Sequence, residues 1–185
     1  MKIICIGDSL TFGYGVNLGN SWVDLLRNKT KNEIINKGVN GDTTTGMLSR
    51  FSTDVTNHSP DMVSIMAGTN DLLMGRDLNT IVDNILLMIK ESTDNNIIPI
   101  VIIPPLTLPN LAKKRWYSTV NYDFINSQIC SLKDKLTSKC GELHIKLINF
   151  SSIVPLEEDY FSDGVHPNEK GHTLMFNKIL SCLQD

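Results

Sequence analysis

The amino-acid sequence predicts an α/β fold, a three-layer α/β/α sandwich around a five-stranded parallel sheet. Two observations predict it. Short apolar runs alternate with helically spaced segments about five times along the 185 residues, and that alternation argues for a parallel sheet with helices on both faces. Polar, glycine-rich clusters follow the apolar runs, and open α/β sheets collect their functional groups beyond the carboxyl ends of the strands. Right-handed crossovers are expected, with the flavodoxin-like strand order 2-1-3-4-5. The length suits one domain spanning 1-185, large enough to bury a core without disulfides or structural metal.

Taken in order, Lys2 to Ile6 reads as a buried strand closed by Gly7. Ser21 to Lys31 has helical spacing, with Trp22, Leu25 and Leu26 on one face. Glu33 to Gly38 is a weaker second strand, and Thr43 to Asn57 reads as a helix with Asp42 or Thr43 as N-cap. Met62 to Ala67 is the third strand. Leu78 to Asn95 is a long amphipathic helix striped by Ile81, Ile85, Met88 and Ile89. Ile97 to Ile103 is the fourth strand, stopped by Pro104-Pro105. A proline-bearing loop runs from Pro104 to about Lys114, and Trp116 to about Lys139 reads helical. His144 to Asn149 is the fifth strand, and Pro167 to Leu183 the last helix, with Pro167 near its first turn.

Composition excludes several classes. The formal net charge is −3, and a general nucleic-acid binder needs a basic face. The short run Lys113-Lys114-Arg115 reads as a solvated segment. The longest apolar stretch, Ile97 to Leu106, is broken by three prolines and falls far short of the roughly 18 residues of a transmembrane helix. The first residues, MKIICIGDS, lack the long apolar region of a secretory signal, so the cytoplasm is the expected location unless a native leader precedes them. The four cysteines are scattered without a CxxC pair and read as reduced thiols. Cys140 and His144 have no second ligand pair, so no metal site is expected.

The polar clusters carry the functional signal. Gly7-Asp8-Ser9 follows strand one, and Gly38-Val39-Asn40-Gly41-Asp42-Thr43 follows strand two. Gly68-Thr69-Asn70-Asp71 follows strand three, and Asp163-Gly164-Val165-His166-Pro167 precedes the last helix. Each has a bland reading when taken singly. Gly-Asp-Ser after a strand fits a plain turn or a phosphate-binding loop. Asp8 and Asp71 fit hydrogen-bonded braces of their loops, although a second catalytic carboxylate at Asp8 is open. His58 and His144 read as peripheral, and His172 as a helix residue without a functional role.

In this order the four clusters resemble the sequence blocks of the GDSL, or SGNH, hydrolase family, and the resemblance runs from Gly7 to Pro167. It implies an α/β/α sandwich and hydrolysis, sometimes transfer, of acyl groups on esters and thioesters. Within it Ser9 is the nucleophile, which a base must activate because a free hydroxyl is weak. His166 is that base, since imidazole titrates near working pH. Asp163 lies three residues earlier on a turn made compact by Gly164, so it can orient the ring. The resemblance assigns the oxyanion hole to the N–H groups of Ser9 and Gly41 and the side-chain amide of Asn70. No metal or organic cofactor is called for. The expected partner is a small-molecule acyl or acetyl ester, with walls drawn from Leu72, Leu73, Met74, Pro105, Leu106, Leu108, Pro109 and Trp116. Three alternatives stay open: a carbohydrate acetylesterase, an acyltransferase using the same serine, and a non-catalytic flavodoxin-like binding module. The α/β-hydrolase elbow G-x-S-x-G is absent, since Thr11 stands where the second glycine would be.

Overall fold

The computed structural model describes residues 1–184. Its sheet is parallel throughout, with the order β2-β1-β3-β4-β5, as the alternation predicts. The strands are β1 (Lys2–Gly7), β2 (Glu33–Gly38), β3 (Met62–Met66), β4 (Ile98–Ile103) and β5 (Lys146–Asn149). The side-chain period of two places apolar residues on both faces of the central strands. Ile4, Ile6, Val63, Ile65, Val101 and Ile103 bury one face against helices α3 (Thr44–Ser49), α4 (Phe51–Asp54), α6 (Leu78–Asp94) and α8 (Tyr122–Glu142). Ile3, Cys5, Met66, Ile100, Ile102 and Ile148 bury the other against α2 (Trp22–Lys29) and α9 (Glu169–Gln184). Three short helices, α1 (Ser9–Phe12), α5 (Thr69–Leu73) and α7 (Pro109–Arg115), sit among the loops.

The register aligns the ends of the strands. Gly7 pairs with Gly38 on one side and Met66 on the other. The segments beginning at Asp8, Val39 and Ala67 therefore leave the sheet at one level along one edge.

Five local expectations are corrected. The helix expected over Thr43 to Asn57 is broken into α3, α4 and a 3-10 turn at Thr56–His58. It bends where the Ser49 hydroxyl takes the Gly46 carbonyl and Arg50 leaves helical geometry at φ −106°, ψ 4°. Thr43 is the N-cap, accepting from the Gly46 N–H. The expected loop from Pro104 to Lys114 contains α7, which begins at Pro109, a position where proline fits a helix start. Conversely, Trp116 to Val120 is not helical; α8 starts at Tyr122, with the Asn121 side chain capping Phe124 N–H. His144 lies outside β5, at φ +55°, just past the end of α8. Pro167 precedes the last helix and bridges Phe161, and Asn168 accepts from the N–H groups of Lys170 and Gly171 at the helix start.

Candidate active site

Ser9 is the first residue of α1, a single turn folded over the end of β1. Asp8 caps that turn, its Oδ1 accepting from Leu10 N–H at 2.9 Å. Ser9 Oγ lies 3.0 Å from His166 Nε2, across 157 residues of sequence. His166 Nδ1 lies 2.8 Å from Asp163 Oδ2. A carboxylate only accepts, so Nδ1 carries the hydrogen and Nε2 is left to accept from the serine hydroxyl.

The Asp163 turn is held by its own backbone. Asp163 Oδ1 accepts from the N–H groups of Val165 at 2.9 Å and His166 at 2.8 Å. Burial pushes the Asp163 carboxyl up. The His166 ring, its charge, and these two backbone donors outweigh that effect and hold the carboxyl below its ordinary range. Gly164 makes the turn possible in two ways. Its φ is +91°, and a side chain there would stand 2.3 Å from the backbone nitrogen of Ala112 in α7.

The remaining donors converge on the same cavity. A space of about 80 Å³ is lined by Ser9, Gly41, Asn70 and His166 on its polar side and by Tyr14, Leu73, Trp116 and Val165 on its apolar side. The N–H groups of Ser9 and Gly41 make no hydrogen bond among the described residues. Gly41 takes φ +78° with nothing within 4 Å of where a side chain would begin, so its backbone is open to a ligand. Asn70 Nδ2 donates to the Asp42 carbonyl at 2.9 Å and lies 3.3 Å from Asp8 Oδ2.

Two braces position these loops. Arg50 donates to Asp42 Oδ2 at 2.8 Å, to Asp54 Oδ2 at 2.6 Å and to the Gly7 carbonyl at 3.1 Å, tying the segment after β2 to the end of β1. Asp71, fully buried, accepts from the N–H and hydroxyl of Thr44, tying α5 to the start of α3.

Of the expected walls, Leu73 and Trp116 reach the cavity. Leu72 is buried in the core, Leu106 and Leu108 pack against it, and Met74 is exposed. Sequence reasoning missed Tyr14. Its ring centroid lies 4.6 Å from that of His166, with Trp116 at 4.9 Å from the same ring and edge-on to Tyr14 at 5.9 Å. The one local sign of it was an aromatic between two glycines, Gly13 and Gly15, immediately after the serine turn. His172 is buried away from the cavity wall, accepting the Trp22 N–H on Nδ1 at 3.1 Å. No described helix is long and apolar enough to cross a membrane.

Comparison with known proteins places the chain in a family. Residues 5–174 match the model of the GDSL-like lipase/acylhydrolase family. An arylesterase of Vibrio mimicus is 30% identical over 90% of this chain and 80% of that protein. The thioesterase 1/protease 1/lysophospholipase L1 of Escherichia coli K12 is 24% identical over 98% of this chain and 83% of that protein. The crystal structure of a lipolytic G-D-S-L family member from Veillonella parvula superposes with a TM-score of 0.86 at 26% identity, covering 100% of this chain and 98% of that one. With its four blocks gathered at one sheet edge and nearly its whole length matched, the chain belongs to the GDSL-like lipase/acylhydrolase family.

Proposed function

We propose that the protein is a serine esterase that cleaves acyl esters of small molecules through an acyl-enzyme on Ser9. The observation that carries this reading is the chain of two hydrogen bonds, Ser9 Oγ to His166 Nε2 at 3.0 Å and His166 Nδ1 to Asp163 Oδ2 at 2.8 Å. Ser9 attacks the acyl carbonyl as His166 Nε2 takes its proton, and the imidazolium so formed is stabilised by Asp163. The tetrahedral oxyanion takes hydrogen bonds from the N–H groups of Ser9 and Gly41 and from Asn70 Nδ2, donors fixed before the charge develops. His166 returns its proton to the leaving alcohol. Water, activated by the same ring, then frees the acid and regenerates Ser9.

The size of the cavity bears on the acyl group. About 80 Å³ between Tyr14, Leu73, Trp116 and Val165 is well below the roughly 300 Å³ at which drug-sized ligands are enclosed. Short acyl groups fit such a space, and longer chains would have to leave it past the aromatic pair. The test is hydrolysis of p-nitrophenyl esters of increasing chain length by wild type and Ser9→Ala, with a fluorophosphonate label mapped by mass spectrometry. Label on Ser9 and loss of turnover in the variant are expected. Turnover surviving in Ser9→Ala would refute the assignment.

A further inference from the structure

Asp8 is fully buried beside the nucleophile, and the proton transfers above make no use of it. Its carboxyl group joins two segments far apart in sequence. Oδ1 accepts from Leu10 N–H at 2.9 Å, fixing the turn on which Ser9 stands, and Oδ2 lies 3.3 Å from Asn70 Nδ2. An amide nitrogen has only two hydrogens to give. One from Asn70 is committed to the Asp42 carbonyl at 2.9 Å, and the other lies along the longer contact to Asp8. An oxyanion served by Asn70 must therefore share or take this second hydrogen.

We infer that Asp8 is a positioning residue of the oxyanion hole, holding the second amide hydrogen of Asn70 ready for the acyl oxygen while it fixes the Ser9 turn, an inference that rests on the serine-esterase reading. The weak, 3.3 Å grip suits this role, because a short bond would compete with the oxyanion for the same hydrogen. Charge suits it as well. Burial pushes the Asp8 carboxyl up to about 7; the Leu10 N–H and the His166 charge pull it down, and Asp42 and Asp71 push it up. Near neutral pH the group thus carries only part of a negative charge beside the developing oxyanion.

The competing role for Asp8 is that of a helix cap alone, and a double-mutant cycle separates the two. In Asp8→Asn one oxygen becomes an NH2. Either it faces the Leu10 N–H or it faces the NH2 of Asn70, so one of the two bonds is lost. With Asn70 removed, the new amide turns its oxygen to Leu10 and the cap survives. The measurement is kcat and KM for p-nitrophenyl acetate in wild type, Asp8→Asn, Asn70→Ala and the double variant, with thermal melts of each. Asn70→Ala should lower kcat by about 10²–10³. Asp8→Asn should lower it by about tenfold or more with KM within about twofold, as a misaimed donor does. The double variant should fall no more than about threefold below Asn70→Ala. Losses that multiply in the double variant would overturn the inference, as would wild-type kcat in either single variant. Asp8→Ser, which keeps a capping oxygen but is too short to reach Asn70, carries the same expectation if Asp8→Asn does not fold. Ser9→Ala, run alongside, separates the two levels. Activity surviving there would refute the esterase reading itself, whereas an inactive Ser9→Ala with multiplicative losses would refute only the role of Asp8.

Discussion

His172 should make the protein sensitive to acid in a window set by its burial. Its Nδ1 accepts the Trp22 N–H at 3.1 Å, at the start of α2, and its Nε2 has no partner among the described residues. Protonation would place a hydrogen on Nδ1, breaking that bond and leaving a buried cation. Burial first, then the nearby charge of His166, push the pKa of His172 from 6.5 down to about 4, against a smaller upward pull from Asp24. A group depressed in the folded state contributes stability that is complete above its unfolded value and lost as pH falls through the folded one. The window is therefore pH 6.5 to about 4, and at about 1.4 kcal/mol per pH unit the loss comes to about 3 kcal/mol. Asp8 slopes the other way. Its carboxyl rises from 3.8 to about 7 on folding, so its contribution is full below the unfolded value and lost as pH rises through about 7. The wild-type curve should accordingly be flatter than either effect alone, and the difference from a variant isolates each. Urea unfolding of wild type and His172→Asn, which retains an acceptor for Trp22, should diverge by about 3 kcal/mol between pH 7 and pH 4. Parallel curves for the two proteins would refute the argument.

Other perturbations test the site. Asp163→Asn should keep the fold and lower kcat by about 10⁴ by disturbing the imidazole tautomer, measured with p-nitrophenyl acetate; a loss below about tenfold would remove Asp163 from the triad. Trp116→Ala should widen the acyl cavity, raising the ratio of kcat/KM for octanoyl over acetyl esters by about tenfold or more; an unchanged ratio would place the chain-length limit elsewhere. Gly164→Ala combines φ +91° with a 2.3 Å approach to the Ala112 nitrogen and should cost about 3 kcal/mol or more. A melting temperature equal to wild type would contradict the packing described.

The sheet was legible because its strands are short, apolar and separated by helices that follow the 3.6-residue period. Trp22, Ile81, Ile85 and Met88 all fall where that period puts them, in the core. Ser9, Gly41, Asn70 and His166 line one cavity and Asp163 stands behind His166. That convergence could be anticipated because each follows a strand or precedes a helix, and the register of β2, β1 and β3 brings three of those ends level. What the sequence hid depends on contacts between distant segments. Tyr14 reaches His166 only because α1 folds back over β1. The Asp8 contact to Asn70 joins residues 62 apart. The bend at Arg50 arises where its guanidinium reaches Asp42 and the Gly7 carbonyl, neighbours that no local period encodes. Helix α7 was obscured by Pro104, Pro105 and Pro109, although Pro109 is compatible with a helix start.

The loop that bears Trp116 also supports the turn that carries His166. Leu108 N–H donates to the Gly164 carbonyl, and Arg115 donates to the Ser162 carbonyl, so the stretch from Leu108 to Trp116 is stitched to the turn that aims His166. On the serine-esterase reading, selectivity for the acyl group and strength of the base would in this way be mechanically coupled. Directed evolution for bulkier esters that works by lengthening or grafting this loop would disturb general-base alignment at the same stroke. Variation confined to Leu73, which lines the cavity from α5, offers a route to new specificity that leaves the histidine's footing in place.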